Sequence, residues 1–425
     1  MKKLKVILIG AGLRGVAYTD AMLNGNGNFE VVAVAEPIEE RRENIKNKHN
    51  IPDEMCFESW EPMLEKEKFA DVALVCTMDR DHFAPAMAAI EKGYDLLLEK
   101  PIAPTPEECA CIRKAAQEKG VKILVCHVLR YTPFFGKLKE IIDSGMLGRV
   151  MSIEHDECVG NTHQSHSFVR GNWGNSERSS SMLLQKSCHD MDILQWLIGK
   201  KCTRVQSFGS TTYFTKENAP EGSPEYCIEG CPQADTCYYN AVKLYLEDKN
   251  NYWFRSAAAK RYQPTDEEVE EAIRTTQYGK CVFKCDNDVV DHQVVNMEFE
   301  DGTLANFNMC AFNEGGRHIR IMGTKGEVIG SAENKMLDFF SFTERKHIEI
   351  DTEATTLGST LVSGHGGGDS GIVNSLYSYL IGECGAEGLS EIGISADNHM
   401  IAFAAEESRA SGNVVDVNEF AKKFD

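Results

Sequence analysis

A short apolar strand pattern, Val6 to Ile9, runs straight into Gly10-Ala11-Gly12-Leu13-Arg14-Gly15. GxGxxG is common by itself, so its setting carries the argument. Here it follows a strand, opens a helical pattern, and is answered by an acid, Glu36, at the end of the second apolar run, 21 residues beyond Gly15. That spacing is the fingerprint of a βαβ unit built around a dinucleotide. The glycines allow a tight turn and let the backbone approach a pyrophosphate, and the helix N-terminus offers N–H donors to its charge. Glu36 can accept bonds from both ribose hydroxyls, which favours NAD over NADP, while Arg41 and Arg42 leave some room for a 2′-phosphate.

Three more nearly continuous apolar runs follow, at 72–77, 95–100 and 122–128, and helical patterns lie between them at 82–92 and 106–119. Such runs fit strands buried on both faces of a parallel sheet. The second of these helices begins Thr105-Pro106-Glu107-Glu108, with a cap, a first-turn proline and early acids in the favoured order. Residues 1–128 therefore read as a Rossmann domain. Past about residue 130 the texture changes. Segments 149–157, 289–299, 303–312 and 317–322 read as strands, most of them alternating apolar and polar side chains, and helical patterns sit at 181–198, 369–382 and 396–411. Residues 129–425 thus read as an α+β domain with a large, mostly antiparallel open sheet, interrupted by an insertion over 212–280. The class is α/β overall, and 425 residues accommodate two or three domains.

With 45 Lys+Arg against 65 Asp+Glu the net charge is −20, which argues against a broad nucleic-acid-binding or anionic-membrane-binding surface. No stretch approaches the roughly 18 apolar residues of a spanning helix. The apolar run at the N-terminus is too short for a signal peptide. The expectation is a cytoplasmic protein, and its 15 cysteines read mostly as buried, reduced thiols.

The loops at the strand ends carry a family pattern. Thr77 ends the fourth strand and Asp81-His82 follow. The fifth ends Glu99-Lys100-Pro101, and the sixth leads to His127 and Arg130-Tyr131. Here the chain resembles the Gfo/Idh/MocA oxidoreductases, the glucose–fructose oxidoreductase and inositol dehydrogenase group. The resemblance is strong over about 4–200, weaker over 281–411, and does not cover 212–280. It implies NAD bound by Gly10, Gly12, Leu13, Arg14, Gly15, Glu36, Thr77, His82, Glu99 and Lys100. Lys100 matches the family lysine beside the nicotinamide and the substrate hydroxyl, where an ammonium can donate to the reacting oxygen. His189 matches the family histidine that takes the hydroxyl proton. The family aspartate four residues earlier is Gln185 here, so the carboxylate partner is lost or moved to Asp192, and Lys186 places a cation on the same helix face. Dimers or tetramers through the open sheet are a further implication.

Other residues read as substrate contacts: His127, Arg130 and Gln185 from the motifs above, then His163, His166, Arg170 and Trp173 in one polar and aromatic run. Sugars are held by such mixtures, with rings on apolar faces and hydroxyls on fixed donors and acceptors. His365, in a bare glycine loop, and Asp369, placed either as a helix N-cap or in the site, complete the set. Cys227, Cys231 and Cys237, joined by Cys281 and Cys285, suggest a structural zinc, with free thiols as the plainer reading. The leading function is NAD-dependent hydride transfer at a hydroxyl of a sugar, cyclitol or related polyol. A redox-neutral NAD-dependent glycosidase and a non-catalytic nucleotide sensor are the alternatives.

Overall fold

The first apolar runs do pair as parallel strands. β1 (Leu4–Ile9), β2 (Phe29–Ala35), β3 (Cys56–Phe57), β4 (Val72–Val75), β5 (Asp95–Leu98) and β6 (Ile123–Val125) form one sheet in the order β3-β2-β1-β4-β5-β6. Side chains alternate between the faces of a strand, so Val6 and Leu8 enter one hydrophobic cluster and Ile7 and Ile9 the other. Helices cover both faces. In one of them, Pro106–Lys119, the Thr105 hydroxyl accepts the Glu108 N–H at 3.3 Å, and left-handed Gly120 ends the last turn. This computed structural model describes residues 3–25, 27–353 and 366–424.

The second sheet has nine strands: β7 (Val150–Cys158), β8 (Cys202–Ser210), β9 (His292–Phe299), β10 (Leu304–Cys310), β11 (Gly316–Gly323), β12 (Gly326–Ser331), β13 (Met336–Ser341), β14 (Lys346–Asp351) and β15 (Val415–Asp416). Their order is β14-β13-β12-β11-β7-β10-β9-β8-β15, antiparallel except where β10 runs parallel to β7. One face is covered. Ile153, His155 and Glu157 of β7, Val295 and Met297 of β9, and Phe307 and Met309 of β10 all turn to it and are buried. Helix Met182–Ile198 lies under that face and packs on helix Ile392–Ser411. The other face is open and mixed. Asn306 donates to Asn296 at 2.8 Å and Asn308 to Asp156 at 3.1 Å, beside exposed Phe208, Leu304 and Ile329.

Two arrangements were not legible in the pattern. Helix Gly368–Leu380 returns to the parallel sheet, where Ile372, Val373, Leu376 and Tyr377 join the cluster of Tyr18 and Phe29. Just beyond it, Ser390 O accepts the Val125 N–H at 2.8 Å, next to an antiparallel bridge between Leu124 and Glu391. The segment between β8 and β9 builds two small clusters of its own, around Phe214, Tyr239 and Phe283 and around Tyr245, Phe254 and Val269. Its helices are Tyr252–Ala259 and Asp266–Thr275.

Strand order reverses between β1 and β4, and in such sheets the crevice at the strands' carboxyl ends is where ligands bind.

Candidate active site

The glycine turn sits in that crevice, and its three glycines answer to different neighbours. Gly10 has φ +90°, and a Cβ there would stand 2.6 Å from Cys76 O; a Cβ on Gly15 would stand 2.2 Å from Gly10 O. These two are fixed by the protein's own packing. A Cβ on Gly12 would meet nothing within 4 Å. Gly12 is also the N-cap of helix Leu13–Asn24, and no side chain caps it. Open space in front of an uncapped helix N-terminus suits an incoming pyrophosphate. The Glu36 carboxylate is held in place by the N–H groups of Ala11 (2.8 Å) and Ile38 (3.0 Å), with second lone pairs left for ribose hydroxyls. Arg42 is turned inward and donates to Glu36 O at 2.5 Å. The residues present thus fit a dinucleotide.

Lys100 leaves β5 through a cis bond to Pro101, and its ammonium donates to Gln185 O at 2.8 Å. This joins the parallel sheet to helix Met182–Ile198 one turn before His189. Glu99 is buried. It accepts from Arg14 Nε (2.8 Å), the Tyr18 hydroxyl (2.7 Å) and the Lys100 N–H (2.8 Å). Burial pushes the Glu99 carboxyl up, but the Arg14 guanidinium and Lys100 outweigh it and hold it below the usual carboxylate range. Arg14 also pairs with Asp369 at 2.6 Å. The expectation of Asp369 as an N-cap is corrected here: Gly367 occupies the cap, and Asp369, in the first turn, clamps Arg14. His365 lies outside the described residues. His82 is fully buried, one ring nitrogen 2.7 Å from Pro101 O and the other 3.1 Å from Thr77 O. It ties two site loops together rather than facing a cofactor. Thr77 itself donates to Asp81 O at 2.9 Å.

His189 is 7% exposed, and its ring stands edge-on to that of His127, centroids 5.5 Å apart. His127 stands in the same way to His399. His399 donates from Nδ1 to Ser395 O and accepts the Ile102 N–H at Nε2. The helix spreads its charges to either side of His189. Asp192 does not turn to that histidine: it receives Arg130 at 2.6 and 2.7 Å and Asn398 at 2.7 Å, all buried. Arg130 is therefore corrected from substrate contact to internal ion pair, and His127, with no exposed surface, stands behind His189. Lys186 pairs with Glu157 at 3.2 Å, and Arg317 reaches Glu157 at 2.5 Å and Asp190 at 2.8 Å. Burial pushes the Lys186 ammonium below its usual value against the pull of Glu157. The cation expected beside His189 is thus committed to β7. Gln185 is buried and serves the site through its carbonyl.

The run from His163 to Trp173 divides. Trp173 Nε1 donates to Asp79 at 3.3 Å, beside the loop after β4. His163 lies between the rings of Phe168 and Trp253, centroids 5.7 and 5.2 Å away. His166 does not reach the crevice: it stacks on Phe254 at 4.0 Å and bonds Tyr245 Oη at 2.8 Å. Arg170 is buried too. It donates to Lys280 O (2.7 Å) and Tyr239 O (2.6 Å), and its Nη2 lies 3.6 Å from Cys227 Sγ. Cys227, Cys231, Cys237 and Cys281 line the same small cavity, while Cys285 points to Cys281 O. All five are free thiols. Among the described residues no three His, Cys, Asp or Glu side chains are arranged to hold a metal ion, so nothing here supports the zinc expectation. The Arg170 guanidinium lines that cavity with them.

Comparison with known proteins places this geometry. A family model described as the Gfo/Idh/MocA oxidoreductase family, NAD-binding Rossmann fold, matches residues 4–127, and its C-terminal α/β-domain counterpart matches 139–357. The chain belongs to the Gfo/Idh/MocA oxidoreductase family. YteT of Bacillus subtilis (strain 168), named no further than a provisional oxidoreductase, is 25% identical over 76% of each chain. Inositol 2-dehydrogenase 4 of Saccharopolyspora erythraea is 28% identical over 48% of this chain and 56% of that protein. A solved levoglucosan dehydrogenase, in complex with NADH and levoglucosan, aligns with a TM-score of 0.71 at 18% identity, covering 98% and 100% of the two chains, a likeness of fold. Among the described residues no helix is long and apolar enough to cross a membrane.

Within this family frame, the residues missed by the sequence reading are second partners: Tyr18, Glu157, Arg317 and His399. Tyr18 lies one turn after Arg14 and was open to inference. Arg317 and His399 sit in unremarked strand and helix positions with no local signal. Together the buried histidines make stability pH-dependent. Burial lowers His127 and His163, and drives His166 and His399 down to about 3. The fold keeps them neutral while the unfolded chain protonates near 6.5, so their contribution is complete above about 6.5 and drains away as pH falls. For His166 and His399 the loss is on the order of 1 kcal/mol each per pH unit between about 6.5 and about 3. Thermal midpoints should therefore fall steeply between pH 7 and 5. A flat profile there would show the rings are not held neutral.

Proposed function

We propose that this oxidoreductase is an NAD-dependent dehydrogenase that oxidises a hydroxyl of a sugar, cyclitol or related polyol. The observation that carries the reading is the Lys100 ammonium bonded to the helix of His189, at the carboxyl edge of the sheet. Bound NAD supplies the hydride acceptor. The chain's own groups do the rest. The uncapped turn at Gly12 and the fixed Glu36 carboxylate hold the dinucleotide. Lys100 donates to the reacting oxygen, and His189 takes the hydroxyl proton. Glu99, anchored by Arg14 and Tyr18, orients Lys100 through its backbone N–H. Inward-turned Arg42 supports NAD over NADP, because its Nη1 is taken up by Glu36 O. The polyol class rests on the inositol and levoglucosan dehydrogenases named among the relatives.

The test is nicotinamide absorbance with NAD⁺ and a panel of sugars, cyclitols and aryl glycosides, with aglycone release followed in parallel. NADH should accumulate with a free polyol. Aglycone release without net NADH would replace the dehydrogenase by a redox-neutral glycosidase. Nucleotide binding without turnover on any member would leave a sensor. Free thiols throughout support work in the cytoplasm. Exposed Phe208, Leu304 and Ile329 on the open sheet face support self-association as a dimer or tetramer. Elution in gel filtration at the 47.3 kDa of one chain would refute it.

A further inference from the structure

The 212–280 segment touches the rest of the chain on two sides. On one side, helix Tyr252–Ala259 sets the Trp253 ring edge-on to His163, centroids 5.2 Å apart, and to His166 at 4.9 Å. His163 in turn lies against Phe168, centroids 5.7 Å apart, and Phe168 against Trp173 at 6.1 Å, whose Nε1 donates to Asp79 in the loop after β4. On the other side, the turn after that helix meets the helix that follows β2. Arg261 pairs with Glu40 at 3.3 Å, and the Tyr262 N–H donates to the same carboxylate at 3.3 Å. Glu40 is four residues past Glu36, in the first turn of the helix that follows β2. A stretch of ten residues, Trp253 to Tyr262, thus runs from His163 to the helix that follows Glu36.

The bridge is braced. Arg255 donates to Tyr245 O at 2.7 Å and pairs with Asp266 at 2.7 Å, and the Tyr252 hydroxyl bonds Tyr262 O. Phe254 fills the segment's own core at 2% exposure, yet its neighbour Trp253 stays 38% exposed. A partly exposed indole on a rigid helix, flanked by two imidazoles, is a ready stacking surface.

We propose that Trp253 is a substrate-contacting residue that stacks on the sugar or cyclitol ring presented to His189, held in place by the bridge pinned at Glu40. The inference rests on the polyol reading above and assigns a specificity role to the 212–280 segment, which the family's C-terminal model spans, contrary to the expectation that the family pattern does not cover it. A ring stacked on an indole is recognised by its apolar face, so the contact selects cyclic over acyclic polyols.

Two measurements on the full chain test it. In steady state, Trp253→Ala should raise the KM of a cyclic polyol about tenfold, more than it lowers kcat, and Trp253→Phe should restore most of the difference. Glu40→Gln, which weakens the pin, should raise the same KM about twofold to fivefold. Without turnover, a cyclic polyol such as myo-inositol added to the NADH-bound protein should quench tryptophan emission in the native chain and not in Trp253→Phe. Equal KM values across the variants, or quenching that survives Trp253→Phe, would overturn the proposal. If the native chain oxidises no polyol, the functional reading fails on its own account. The quenching titration still decides Trp253, and absence of any Trp253-dependent signal counts against it.

Discussion

Replacing His189 by asparagine is expected to lower kcat by about a hundredfold to ten-thousandfold, the usual share of a positioned proton acceptor. Asparagine keeps the size and one polar contact, and removes the basic nitrogen. Lys100→Met should fall in the same range, because the methionine fills the lysine's path but cannot donate to the oxygen or to Gln185 O. The double variant should be little worse than either single one, since the two groups serve one transition state. NADH titrated by fluorescence should bind all three with native affinity, because Gly12 and Glu36 are untouched. Loss of nucleotide binding in Lys100→Met would instead make that lysine a cofactor anchor. A His189→Asn variant with native kcat would move the proton acceptor elsewhere.

How much of this site the sequence shows depends on how far each partner lies along the chain. The glycine turn, Glu36 and Lys100 were legible because a βαβ unit fixes its ligand groups at strand ends, within a few residues of apolar runs that announce themselves. His189 was found through the family pattern. Its charged neighbours were misjudged because helical spacing tells which residues share a face, not which element that face meets. Lys186 and Asp192 share a side with His189 in the wheel, yet β7 takes the first through Glu157 and the loop after β6 takes the second through Arg130. The return of helix Gly368–Leu380 to the parallel sheet is of the same kind, since an apolar stripe does not name the sheet it covers. The polar run from His163 to Arg170 looked like a binding loop by composition. The aromatic segment that buries His166 and Arg170 arrives from 70 to 110 residues downstream, as the bonds from Arg170 to Tyr239 and Lys280 show.

Arg130 is where those two readings part most sharply. Its guanidinium meets Asp192 through two short bonds with almost no exposed surface on either side chain, and it also donates to Leu389 O at 3.2 Å. Burial pushes the Asp192 carboxyl up, but Arg130 outweighs it and holds Asp192 below its usual range. Removing one partner leaves the other charge buried and uncompensated, which costs about 3–5 kcal/mol. Arg130→Met should therefore lower the thermal midpoint by roughly 6–20 °C. Asp192→Asn should do much the same. The double variant Arg130→Met/Asp192→Asn should lose less than the two single losses added together, because no lone charge is left behind. Activity in Arg130→Met should fall only as the folded fraction falls, with the KM for polyol unchanged at a temperature where the variant is folded. A native midpoint with a raised KM would return Arg130 to the substrate, where its place after the sixth strand first put it, and would mean that the pair with Asp192 opens when substrate binds.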